Sequence, residues 1–599
     1  MRCKTLFLIL LLGFMAALFS SCDGGSSAAP APISLSLASS ALEVLQDGTP
    51  ATVDATVVRP AGDSNGVTLS VAGLPPGLSD QVTSPGTGDS GSVAFTSRSA
   101  AAGTYSVSIT ASDGQTTASV PLSLTVAIVA TVWTSVNASV AESGQLEDFM
   151  ATSFQPAEWD DQFFTNNPGA VTTLANLGSQ HIRLQPVSAG TPQKADGTWD
   201  FTMLNAVLEP VISVGDKSPE LQLAVAPAWM DDSNGHLEPQ HFQDFASYAA
   251  DVVKYYNTHA GFTDSNGVTH FHSTFTPITW WGIFNEPNYN GLTTGAQYAQ
   301  LYNLVVPAMQ AAGSEVPIKF VALELGDYPG LADAYMPAFV ANVTAEVDVV
   351  ATHFYSSCNQ LDADQRIFNT IPGFVQEVKA IYSQLAANPA LASVPVWVTE
   401  NNVNADYNRG GGISACNGTA FVTDKRGTTA FFAAWRPYVF SQISQAGAEA
   451  LYHWDFDADQ QFGEVDYNTG GTYRSYWVDY WLARYFPAPP GGPYPQILNL
   501  GVTETSSVET LAVQEPDGSV VVMIADRAVH SSSDNNGAGD PRTVEIDLSA
   551  WGAFSSASLL TIDANTDPKA GPTAQSITPA SKITLTLGGY SVAFLTLKP

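Results

Sequence analysis

The chain runs to 599 residues, more than one hydrophobic core usually supports, so about two to four domains are expected. Its net charge is −34, with only 22 lysines and arginines. Surfaces that bind nucleic acid or another polyanion need basic stripes, so no nucleic-acid partner is expected and neutral ligands suit the chain better.

The first residues read Met1-Arg2-Cys3-Lys4, then an apolar run from Leu6 to Phe19, then Ser20-Ser21-Cys22, the three-part plan of an export signal over residues 1–21. The run is too short for a membrane-spanning helix of about 20 residues. Phe19-Ser20-Ser21-Cys22 resembles the lipobox of bacterial lipoproteins, which implies cleavage before Cys22 and lipid on that cysteine. An exported protein is expected, anchored to a membrane through Cys22 in the periplasm or on the cell surface, with plain secretion as the alternative. Residues 22–33 are small and proline-rich, the composition of a tether.

From 34 to 128 come short alternating runs such as TYSVSITAS and VPLSLTV, broken by turn clusters such as Gly73-Leu74-Pro75-Pro76-Gly77. They predict a small β-sandwich, and the pairing of GLPPGL with a late hairpin resembles bacterial immunoglobulin-like modules. Between 130 and 487 apolar strands alternate with long helical stretches, which predicts a parallel sheet. Strand candidates are ATVWTSV (130–136), HIRLQPV (181–187), LQLAVAPAW (221–229), ITWWGIF (278–284), IKFVALE (318–324), VDVVATHFY (347–355), VPVWVTE (394–400) and EALYHWDF (449–456). Eight of them suggest a (β/α)8 TIM barrel. After the Pro-Gly run 487–495, strands return and a second β-sandwich is expected over 495–599.

Two of these strands end in glutamate. Trp280-Trp281-Gly282-Ile283-Phe284-Asn285-Glu286-Pro287 and Val394-Pro395-Val396-Trp397-Val398-Thr399-Glu400 put carboxyls at the C-terminal mouth, where barrel enzymes keep their sites. Glycoside hydrolysis uses two such groups, one to protonate the leaving oxygen and one to attack the anomeric carbon when configuration is retained. Glu286 is the acid/base candidate and Glu400 the nucleophile candidate.

Asn-Glu-Pro after the fourth strand and a glutamate after the seventh resemble the clan A glycoside hydrolases, the four-seven barrels, and within them most nearly family 39. Phe284 stands where that family has Trp, Gly282 where it has Glu, and Glu400-Asn401-Asn402 departs from its Glu-Phe or Glu-Tyr-Asn. The resemblance implies a retaining, β-xylosidase-like enzyme acting on a carbohydrate, although endo-xylanases, glucanases and glucuronidases use the same two glutamates. It further implies that Asn285 binds the substrate 2-hydroxyl and that Tyr355 donates a hydrogen bond to the nucleophile. Arg183 would add positive charge nearby, Trp454 would form a sugar platform, and Trp229 and His353 would line the same cup.

Cys358 and Cys416 remain in a non-reducing compartment once Cys3 and Cys22 are accounted for, so they are expected to pair. Asp455, Asp457 and Asp459 sit like an EF-hand loop, but Gln460 occupies the place of its turn glycine, and a solvated substrate loop is expected. No metal or organic cofactor is implied. The alternative to an enzyme is a non-catalytic carbohydrate-binding or adhesive surface lipoprotein.

Overall fold

The strand Thr117–Thr134 runs for 18 residues and belongs to two domains at once. Its inward side chains keep one parity throughout: Leu122, Leu124 and Val126 enter the core of the N-terminal sandwich, while Ala130 and Val132 enter that of the C-terminal sandwich. The first half pairs with Gly103–Ser112 and Ala41–Leu45, and the second half with Arg542–Asp547 and Leu500–Val502. Two corrections follow. ATVWTSV is not the first strand of the central sheet, because an edge partner from the far end of the chain captures it. The expected junction at 128–130 falls inside one continuous strand, whose residues from Ile128 to Trp133 pair with Arg542–Asp547.

This computed structural model describes residues 31–46, 48–134, 153–155, 162–178, 181–186, 190–213, 219–326, 332–487 and 492–599. The export signal, Cys22 and most of the tether lie outside the described residues. The tether ends by Ile33, which is buried and donates its N–H to Thr116 Oγ1 at 3.3 Å.

The central sheet is parallel. Its strands are β1 (Ser153–Gln155), β2 (His181–Leu184), β3 (Glu220–Leu223), β4 (Trp280–Ile283), β5 (Lys319–Leu325), β6 (Val349–Ser357), β7 (Val396–Asn404) and β8, in two pieces, Ala450–Leu451 and His453–Trp454. Each pairs with its sequence neighbour, and the sheet curls until the second piece of β8 pairs with β1. Helices such as Phe242–Asn257, Gly295–Gln310 and Asp364–Leu385 connect the strands and cover the outer face.

Both faces of these strands are apolar. Trp281, Phe320, Val350 and Val396 pack under the helices, while Trp280, Val321, Val349, Trp397, Ala450 and Tyr452 form a separate inner cluster. That inner plug forms a rigid floor, and the polar residues stand where the same strands continue beyond it. The C-terminal sandwich, Gln496–Leu498 to Ser591–Lys598, is locked to the helical layer: Glu509 accepts from Ser441 at 2.6 Å and Tyr485 stacks on Phe594 at 4.9 Å.

Candidate active site

β4 buries all four residues, Trp280 to Ile283, and then leaves regular geometry. Phe284 and Glu286 have φ of 69° and 41°, in the left-handed region that costs a side chain about 1–3 kcal/mol each. Neighbouring strands hold them there. Phe284 N–H and Asn285 N–H donate to Leu223 O and Ala224 O, and Glu286 N–H donates to Glu324 O at 3.1 Å. Asn288 ties the turn down by donating Nδ2 to Gly326 O at 2.7 Å. Gly326 is required by space, because a Cβ on it would stand 2.5 Å from Glu286 Oε1.

Glu400, at the matching place on β7, is held on both carboxylate oxygens. Arg183 Nη1 donates to Oε1 at 3.1 Å and Tyr355 Oη donates to Oε2 at 2.9 Å. His353 Nδ1 lies 2.9 Å from Glu286 Oε1 and 3.4 Å from Glu400 Oε2, so one imidazole faces both glutamates. One ligand atom from each of Glu286, His353 and Glu400 fits within 4.8 Å of the others. Asn285 Oδ1 accepts from Arg183 Nη2 at 3.1 Å and from Gln222 Nε2 at 3.0 Å.

The electrostatics follow from burial and two cations. Burial pushes the Glu400 carboxyl above its ordinary range, and His353, Arg183 and the Tyr355 hydrogen bond pull it back down. For His353 burial acts downward, but Glu400, Glu286 and Glu324 outweigh it and raise the imidazole to about 9. Glu286, His353 and Glu400 thus form an ion-pair cluster. A second group, His453, Glu464 and Asp479, is also buried. There burial and Asp479 push Glu464 well upward, and Arg436 with His453 hold Asp479 at about 2 against its own burial, again a cluster settled by protons and ion pairs.

The remaining expected residues are placed less centrally. Trp454 is 9% exposed at the end of β8, its ring edge-on to Phe462 at 4.7 Å. Trp229 lies on the turn Ala228–Met230 after β3, its ring against His241 at 5.4 Å. Cys358 and Cys416 are disulfide-bonded, linking the end of β6 to the loop after β7. The solvated-loop expectation for Asp455 and Asp457 is overturned: both are buried, because the following segment, through Phe462 and Glu464, folds back under Trp454.

Sequence reading passed over three residues, Glu220, Gln222 and Glu324. Glu324 carries the same signal as the chosen pair, a glutamate closing an apolar strand. It also passed over Tyr289, 47% exposed, which sits close enough to Gly326 that a Cβ there would meet its ring at 2.8 Å, the same Cβ that would strike Glu286.

The glycosyl hydrolase catalytic core family has a model that matches residues 244–424, a span that includes Glu286, Glu324, His353, Tyr355 and Glu400. No curated protein matches the chain. Among solved structures, the chain is similar to a family 44 xyloglucanase from Paenibacillus polymyxa at 8% identity, covering 79% of this chain and 100% of that one, TM-score 0.48. It is similar to a family 44 endoglucanase from Clostridium thermocellum at 10% identity, covering 78% and 100%, TM-score 0.46. An endo-β1,6-glucanase matches at 12% identity, covering 78% and 95%, TM-score 0.43.

Proposed function

We propose that the chain is a retaining β-glycoside hydrolase whose curled sheet is a (β/α)8 barrel, with Glu286 as acid/base and Glu400 as nucleophile. The observation that carries this reading is the approach of the two carboxylates, with an oxygen of each inside 4.8 Å. Retaining enzymes hold the pair about 5 Å apart, whereas inverting ones need roughly 6.5–9.5 Å to admit a water. The export signal and Cys22 extend the proposal to a lipid-anchored protein acting on β-linked glycans outside the cytoplasm.

In the first step Glu400 attacks the anomeric carbon as Glu286 passes its proton to the leaving oxygen, giving an α-linked glycosyl ester. Glu286, now a carboxylate, takes a proton from water, and that water displaces Glu400 to release the β-anomer. Arg183 and Tyr355 hold the two oxygens of Glu400, and Asn285 donates to the 2-hydroxyl, a contact that strengthens as the ring flattens.

Hydrolysis of aryl β-xyloside, glucoside, arabinoside and glucuronide and of plant polysaccharides, with the first-formed anomer read by proton NMR, tests the reading. The β-anomer first supports it. The α-anomer first excludes it, and glycan binding without turnover favours a binding protein.

The pH profile is a second check. Glu400 must be ionised, and burial raises it, so the acid limb lies above the ordinary carboxylate range. His353 loses its proton as the pH rises through about 9, removing a cation from both glutamates. An acid limb of kcat/KM within the ordinary carboxylate range would count against this burial of the nucleophile.

A further inference from the structure

β5 closes with Leu323 and Glu324 at φ of 79° and 43°, the only strand besides β4 whose end is forced into left-handed geometry among the described residues. Glu324 is fully buried, and its Oε2 stands 2.7 Å from Arg183 Nη2 and 3.6 Å from His353 Nε2. Its backbone oxygen accepts the Glu286 N–H. Room for the side chain comes from Gly282 on β4, where a Cβ would lie 2.5 Å from Glu324 Oε1. Building on the roles proposed above for Glu286 and Glu400, we infer that Glu324 is a positioning residue: a buried carboxylate that anchors both cations facing the glutamate pair and so leaves that pair one negative charge to share.

Arg183 and His353 supply two cations, each in contact with Glu400 on one side and Glu324 on the other. Four carboxyls face them: Glu220, Glu286, Glu324 and Glu400. Burial, reinforced by Glu324, pushes Glu220 well above the ordinary carboxylate range, against the pull of Arg183 and of the Tyr452 Oη that donates to it at 3.3 Å. Burial opposes the charge on Glu324 too, but Arg183 and His353 overcome it and bring the group below the ordinary range. Tyr298, from helix Gly295–Gln310, is the other titratable neighbour, its hydroxyl engaged by Ile283 O and Leu323 N–H.

With Glu324 anionic, two cations call for one further negative charge, so the catalytic pair holds one proton. One negative charge on the pair is what both resting points of a retaining cycle require: Glu400 ionised with Glu286 protonated at the start, and Glu400 esterified with Glu286 ionised afterwards. Were Glu324 neutral, the same two cations would favour ionising both glutamates, and the acid would be lost at working pH.

The test is the pH dependence of kcat/KM for wild type, Glu324→Gln, Glu324→Asp, His353→Gln and the double variant Glu324→Gln/His353→Gln, with folding followed by circular dichroism. Loss of an anion favours ionised carboxyls, so Glu324→Gln moves both limbs down by about 1–3 pH units and lowers kcat at neutral pH. Glu324→Asp keeps the charge and keeps the limbs in place. His353→Gln removes a cation and moves both limbs up, and the double variant, its charge count restored, returns them towards wild type. A folded Glu324→Gln that is slower at every pH with unmoved limbs overturns the inference. If that variant does not fold, limbs of Glu324→Asp displaced from wild type, or of His353→Gln unmoved or lowered, overturn it as well. A wild type without glycosidase activity, or an active Glu400→Ala, would instead sink the proposed function on which the inference rests.

Discussion

Glu400→Ala loses turnover by between about 10⁴ and 10⁶, and sodium azide restores part of it while producing an α-glycosyl azide. The expectation comes from the way Glu400 is held. Arg183 and Tyr355 occupy one oxygen each, so the carboxylate is oriented before substrate arrives, and no described residue beside it can replace its attack on the anomeric carbon. Shortening the side chain opens space on the α-face for a small anion, which Arg183 and His353 still attract. Glu286→Ala behaves oppositely, with azide trapping the glycosyl ester to give the β-azide. Product stereochemistry measured by NMR thus assigns each role separately, and a β-azide from Glu400→Ala would reverse the assignment.

The second large effect concerns stability. Arg183 is fully buried and touches Glu324 at 2.7 Å, Glu400 at 3.1 Å and Glu220 at 4.0 Å. Arg183→Leu leaves at least one buried carboxylate without its cation, a loss of about 3–5 kcal/mol, and also removes the donor to Asn285. Activity should vanish and the denaturation midpoint fall. The deficit depends on pH with a definite sign. Glu324 lies below the ordinary carboxylate range in the folded chain, so its contribution is present above that range and lost as the pH falls through its folded value. The gap between wild type and Arg183→Leu is therefore widest near neutrality and narrows in acid; a gap that widened in acid would contradict the ion-pair account. Arg183→Lys recovers stability only in part, since one ammonium cannot serve Glu324, Glu400 and Asn285 from a planar fork.

Consecutive residues were enough to find the two glutamates and the tyrosine. A buried strand is an apolar run of a few residues, and the first polar group after it lands at the mouth of the sheet, so WWGIFNE, VWVTE and THFY each announce a position locally. The glycosyl hydrolase match over 244–424 covers the same three segments. The disulfide was legible by elimination among four cysteines, and it is formed.

Tertiary structure decided the rest, because the interactions concerned join residues far apart in the chain. Glu324 ends its strand as plainly as Glu286 does, yet its role depends on meeting Arg183 from β2 and His353 from β6, and no local pattern records which cation a buried carboxylate will face. ATVWT has the alternation of a strand in either domain, and what claims it is Arg542–Asp547, some four hundred residues later. Asp455 and Asp457 read as solvated because aspartates usually are, and they are buried because the chain after them returns beneath Trp454. Short-range hydrophobic patterning sets where strands begin and end, so the sequence alone located the mouth of the site. The balance of buried charge depends on distances between strands, and only the folded sheet supplies those.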